Sequence, residues 1–143
     1  MKKRGFTLIE LLIVMAVIAI LVAIAVPAFR GMRQEAQITK SQGDLKVIKI
    51  ALESYYKTNG SYPAVANYQT TLLAATPRIL ESSLNDPFTS PLAPYAYVLS
   101  ANSRYYSVYS IGAAGDGSMV CNDDGSVSVE AGAPIWISNG YQP

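Results

Sequence analysis

Nineteen uninterrupted apolar residues, 11–29, stand near the start of this 143-residue chain and limit what it can fold into. At about 1.5 Å per residue a helix of that length covers roughly 28 Å, close to the hydrocarbon thickness of a bilayer. One membrane crossing is therefore open to it. Lys2, Lys3 and Arg4 precede the run, and between them and Arg30 the sole charged side chain is Glu10. Cations on that flank place Met1 on the cytoplasmic side and the bulk of the chain outside.

Glu10 is not a residue that a plain anchor would carry. An ionised carboxylate in hydrocarbon is unfavourable by about 2.5 to 3.5 kcal/mol at the centre of a span, and by less near its end. It requires a partner. No basic residue lies in 11–29, and Lys2, Lys3 and Arg4 sit a helical turn or more back. A new amino terminus at Phe6, created by cutting after Gly5 and supplied by the same or a neighbouring chain, would serve.

The short basic leader, Gly5, the run Phe6-Thr7-Leu8-Ile9-Glu10-Leu11-Leu12-Ile13-Val14 and Pro27 together resemble the N-terminal signature of type IV pilins and of type II secretion pseudopilins. The resemblance implies that a prepilin peptidase cuts between Gly5 and Phe6 and that the Phe6 amine is then methylated. It also implies that Glu10 pairs with the Phe6 amine of a neighbouring subunit as a filament grows from the inner membrane. Two plainer readings stand beside it. A cleaved secretory signal could use Ala23-Ile24-Ala25, and an ordinary signal anchor needs only the apolar run. Neither accounts for Glu10.

Once residues 1–5 are removed, eight basic side chains face ten acidic ones, a balance that implies no direct nucleic-acid partner. Cys121 is alone, so no intramolecular disulfide can form. It is expected as a small buried apolar residue. Many type IVa pilins carry a C-terminal disulfide, so this departure leans toward the pseudopilins.

Beyond Phe29 the chain turns amphipathic without a linker. Ile38, Leu45, Ile48, Leu52 and Tyr55 recur at helical spacing, with charged residues between them. The first strong stop is Asn59-Gly60. These features predict one helix over residues 6–58, with Pro27 kinking or loosening it. The resemblance implies that the helix just before this proline can unwind when subunits pack in a filament. The exit Asn59-Gly60-Ser61-Tyr62-Pro63 resembles that of major pseudopilins.

A connecting region follows over residues 61–94. Within it 68–75 are predicted as two helical turns with Leu72 and Leu73 inward, and Asp86-Pro87-Phe88 resembles the step before the pseudopilin sheet. The family's Gly-containing turn is replaced here by Thr89-Ser90-Pro91-Leu92-Ala93-Pro94. Strands are predicted at 95–99 and 105–111 as a hairpin, at 127–129, and at 134–137 as an edge strand led by Pro134. The fold class is α+β: a long helix packed on a small antiparallel sheet. Three segments result: leader 1–5, apolar helix half 6–29, and 30–143 holding the amphipathic half and the head.

No catalytic constellation emerges. The chain has no His and no nucleophile-elbow pattern, so enzyme activity is not expected. Ser110-Ile111-Gly112-Ala113-Ala114-Gly115-Asp116-Gly117 resembles the calcium loop of major pseudopilins, with one extra residue before the aspartate. Asp116, Asp123 and Asp124 could therefore supply oxygens to calcium. Alternatively, Asn122-Asp123-Asp124-Gly125 is simply a hairpin turn. The tyrosines at 95, 97, 105, 106 and 109 read as strand residues whose rings cover a helix and whose hydroxyls stay wet.

The expected role is a structural subunit of a pilus-like filament. It would be processed after Gly5, inserted in the inner membrane with its N-terminus cytoplasmic, and polymerised with copies of itself. Expected partners are prepilin peptidase, an assembly platform with its ATPase, and minor pilins or pseudopilins. A major pseudopilin of a periplasmic fibre is the first reading. A surface type IV pilin and a monomeric anchored binding domain are the alternatives.

Overall fold

The computed structural model describes residues 6–140, and the leader with Gly5 lies outside the described residues. Two units result, one ending at Ala36 and one beginning at Gln37. A single helix, α1 (Leu8–Asn59), contributes to both.

In the first unit the described chain is helix and little else. Every described residue up to Ala36 is exposed except Ala25, which is half-buried. Pro27 lies inside α1, and the helix is assigned without interruption through it. Its apolar side chains, Leu11, Ile18, Ile24 and Phe29 among them, meet no protein atoms that would cover them. Such a surface is stable only in lipid or against other apolar helices.

The second unit begins with the amphipathic half of α1, which buries Ser41, Leu45, Ile48, Ala51 and Leu52. Ile38 and Tyr55 flank this stripe half-buried, as their spacing predicts. Fully burying side chains such as Leu45, Ile48 and Leu52 is worth about 1.5 to 3 kcal/mol each. The helix stops at Gly60, whose φ of 73° is left-handed. Its N–H donates to the carbonyl of Tyr56 at 2.7 Å, and Asn59 Nδ2 donates to that of Tyr55 at 3.0 Å. Two carbonyls left open by the helix end are thereby satisfied.

A single 3-10 turn, Val65–Asn67, leads into α2 (Tyr68–Ala74). Leu72 is buried and Leu73 packs half-buried against the core. Gln69 behaves like a strand backbone: its amide donates to Leu84 O at 2.7 Å and accepts from Leu84 N at 3.1 Å. Next come β1 (Asn85–Asp86) and β2 (Ala93–Pro94), a short antiparallel pair that closes the intervening loop. Buried Asp86 fastens this loop, accepting from Phe88 N at 3.0 Å, Ser110 Oγ at 2.8 Å and Ile111 N at 2.9 Å.

The main sheet is antiparallel, with β4 (Tyr106–Ser110) between β3 (Ala96–Leu99) and β7 (Ile135–Ser138). The expected hairpin and the edge strand after Pro134 are both present. Strand alternation puts Tyr97, Tyr106, Val108 and Ile137 on the face that packs with Leu45, Ile48 and Leu52. A second hairpin, β5 (Ser118–Cys121) and β6 (Val127–Ala131), forms its own two-stranded sheet. The sequence reading anticipates β6 but not β5, nor the β1–β2 pair.

The tyrosine hydroxyls differ from expectation. Tyr68 donates to Tyr95 O at 2.8 Å, Tyr95 to Asp44 Oδ2 at 2.9 Å, Tyr97 to Pro63 O at 3.3 Å and Tyr106 to Glu53 Oε1 at 2.9 Å. A buried phenol without such an acceptor would lose its bond to water for nothing, so each finds one inside the protein. Tyr109, by strand alternation, falls on the opposite sheet face from Tyr106.

Candidate functional site

At the N-terminus, Thr7 and Glu10 bind each other reciprocally. Glu10 Oε2 accepts from Thr7 N at 2.9 Å and from Thr7 Oγ1 at 2.8 Å, and Glu10 N donates to Thr7 Oγ1 at 3.3 Å. This is a capping box: Thr7 is the cap, Glu10 the third helical residue, and each satisfies a donor that the first turn leaves open. Helix α1 accordingly begins at Leu8 rather than Phe6. The spacing Thr7-x-x-Glu10 is the sequence signal of this cap.

The capping box changes the problem posed by Glu10. Its carboxylate is engaged locally before any neighbour arrives, and only through Oε2. Among the described residues Oε1 makes no hydrogen bond, which leaves one oxygen for a cation. The structure brings Glu10 to Thr7 and not to Phe6, whose side chain is exposed. Pro27 is in the same helix, seventeen positions beyond Glu10 in the sequence.

The three aspartates considered for calcium are placed separately. Asp124 Oδ1 accepts from Ser126 N at 2.8 Å and Ser126 Oγ at 2.7 Å, which holds its carboxyl below the usual range. Asp123 Oδ1 accepts from Asn102 N at 2.7 Å. Both thereby shape the β5–β6 turn, where Gly125 N donates to Asn122 O at 3.1 Å. Asp116 Oδ1 instead lies where a side chain on Gly132 would have to go. Among the described residues no three His, Cys, Asp or Glu converge on one point. Calcium here would have to take most of its six to eight oxygens from backbone carbonyls and water rather than from a shared cluster of these carboxylates.

Other groups are similarly committed. Burial pushes the Tyr62 hydroxyl up to about 12, with the Glu53 charge adding to it, and burial also takes Tyr68 to about 12. Burial raises the Cys121 thiol as well, consistent with the expected inert apolar role. A cavity of about 450 Å³ between the end of α1 and α2 is lined by Ser54, Tyr55, Thr58, Thr71 and other residues, none of them charged. It offers no base or nucleophile pair.

Comparison with known proteins agrees with this geometry. A profile described as the prokaryotic N-terminal methylation motif matches residues 1–26, and one for type II secretion system protein G matches residues 29–125. The type II secretion system core protein G of Pseudomonas aeruginosa is 30% identical over 125 residues, covering 80% of this chain and 86% of that protein. The protein of the same name from Escherichia coli K12 is 33% identical over 92 residues, covering 64% of this chain and 56% of its own length. The type IV major pilin PilA of Myxococcus xanthus is 39% identical over 66 residues, 46% of this chain and 30% of that one. No solved structure matches the chain significantly. With a matching protein G profile over most of its length and an N-terminal methylation motif ahead of it, this chain belongs to the type II secretion system protein G family.

Proposed function

We infer that this protein is the repeating subunit of a pseudopilus, a short helical filament assembled from the inner membrane by a type II secretion system. One observation carries the reading: a helix half with its apolar side chains uncovered, interrupted only by a carboxylate that keeps one oxygen free. Such a helix is satisfied first by lipid and then by the same segment of other copies. Transfer from one to the other is what filament growth requires.

On this reading prepilin peptidase cuts after Gly5, the Phe6 amine is methylated, and Glu10 Oε1 receives the Phe6 amine of the adjacent subunit. That bond would neutralise the carboxylate and fix the axial register of one copy against the next. The precursor crosses the inner membrane once with its N-terminus cytoplasmic, and the head lies outside. An assembly platform, its ATPase and minor pseudopilins are the partners that this role calls for.

The similarity to type IV pilins supports a second reading, a longer surface fibre, although for PilA it spans less than half of this chain. Intact-mass analysis of sheared surface material and of inner membrane from the native cells separates the two. A chain beginning at methylated Phe6 and held in the membrane fraction is the expected result. Abundance of that chain in the sheared fraction would establish the surface fibre, and a mass beginning at Met1 or Val26 would overturn both readings.

A further inference from the structure

Charge is segregated along this chain in a way that neither the core nor the N-terminal site uses. Residues 30–60 carry six basic and three acidic side chains, whereas residues 105–143 carry four acidic and no basic ones. On the head part of α1, Asp44 is paired with Lys40 at 3.9 Å and Glu53 accepts from Tyr62 and Tyr106. Lys46 and Lys57 are exposed and have no ion pair among the described residues. Between them, one turn apart, stand two exposed aliphatic side chains, Val47 at 49% and Ile50 at 70% exposure. Val47 and Ile50 form a small exposed aliphatic patch on the side of this helix away from its buried face.

The β5–β6 hairpin presents the complement. Val120 pairs with Ser128, which puts these two on one face while Met119 and Cys121 are buried on the other, and Glu130 is the unpaired residue of the register shift opposite Ser118 and Met119. Val120, Ser128 and Glu130 are all exposed, and Glu130 has no ion pair or hydrogen bond among the described residues. Here an aliphatic side chain stands beside an acid; on α1 two aliphatic side chains stand beside bases.

We propose that these two different faces bind each other between copies of this chain: Val120 and Glu130 of one subunit dock on Val47, Ile50 and Lys46 of the next. The proposal rests on the filament reading and adds to it a contact between heads. Two unlike patches on one molecule make a head-to-tail contact, which generates open helical assemblies rather than closed dimers. Opposite charge at its rim would steer subunits together and reject wrong registers, and the aliphatic centre would exclude water.

The test uses the full-length chain as the sole copy in its native cells, with filament yield as the readout. Lys46→Glu and Glu130→Lys should each lower filament yield at least about tenfold, since each sets like charges against one another. The double reversal should recover yield to within about threefold of the unsubstituted chain. Both side chains are exposed, so unchanged thermal melting of the purified variants shows that folding is intact. A Lys46→Cys, Glu130→Cys chain should give a ladder of cross-linked oligomers under mild oxidation of assembled filaments, and Cys121 is buried away from it. Normal yield from either single reversal, no recovery in the double, or filaments without the ladder would each overturn the contact while leaving the filament reading standing. Absence of filaments from the unsubstituted chain would overturn both.

Discussion

Tyr106 Oη lies 2.9 Å from Glu53 Oε1, joining the central strand of the sheet to α1 across 53 residues of sequence. Tyr62 donates to the same carboxylate at 3.3 and 3.4 Å, and its ring stacks on Tyr56 at 4.6 Å between centroids. One acid thus gathers the helix end, its exit and β4. Tyr106→Phe keeps the ring packing and removes one bond to a charged acceptor, so it should cost about 1.5 kcal/mol. Melting of the full chain in detergent should fall by about 4 °C. An unchanged melt would mean that Glu53 is held by solvent rather than by Tyr106.

The capping box separates two roles of Glu10. Glu10→Val removes the oxygen offered to a neighbour and should stop assembly while leaving cleavage after Gly5 intact. Thr7→Val removes only the hydroxyl cap, a loss of about 1 kcal/mol at the helix start. Filaments should then form in reduced yield. Equal and complete loss in both variants, followed by immunoblot and electron microscopy, would show that Glu10 acts only through Thr7.

Alkaline pH should unfold the head. Tyr62 and Tyr68 are pushed from the ordinary 10 to about 12 by burial, and burial raises Tyr106 as well. Unfolded tyrosines release their protons first, so this stabilisation is complete below pH 10 and is lost as pH rises through 12. Melting temperature should hold level to about pH 10 and then drop, while absorbance near 295 nm shows part of the tyrosines ionising late. Simple titration of all ten around pH 10 in a folded protein would contradict the buried network.

Calcium offers a direct check on the β5–β6 turn. With Asp123 and Asp124 bound to Asn102 and Ser126, melting temperatures in a chelator and in millimolar calcium should agree within about 1 °C. A rise of several degrees would mean that Asp116 moves to join the other two.

Two glycines should respond unequally to alanine. Gly60 and Gly112 both have left-handed φ, 73° and 75°, which costs a side chain about 1 to 2 kcal/mol. Space around Gly60 is open, whereas a Cβ on Gly112 would meet the carbonyl of Ala133. Gly112→Ala should therefore lower the denaturation midpoint clearly more than Gly60→Ala, as chemical unfolding would measure.

Much of this architecture was legible because the residues concerned act locally. Leu45, Ile48 and Leu52 repeat at helical spacing, Asn59-Gly60 ends the helix, and the aromatic and β-branched runs around Tyr97 and Val108 announce a hairpin. Strand β5 gave no such signal. Ser118-Met119-Val120-Cys121 is short, follows a Gly-rich loop, and is a strand only because β6 pairs with it. Likewise β1 depends on Asp86 finding Ser110 and Ile111, and no local pattern encodes that meeting. At the N-terminal site the charge of Glu10 drew attention to distant cations, although a hydroxyl three residues away was the nearer partner.

The arrangement around Asp86 also orders events in time. Two of its three donors, Ser110 and Ile111, lie 24 and 25 residues downstream, at the far end of β4. The Asp86 carboxylate cannot collect its two distant donors until that strand is in place, and closing such a span before any contact compensates is entropically slow. This segment should be late to dock as the newly made head matures, and first to exchange its amide protons once it has done so.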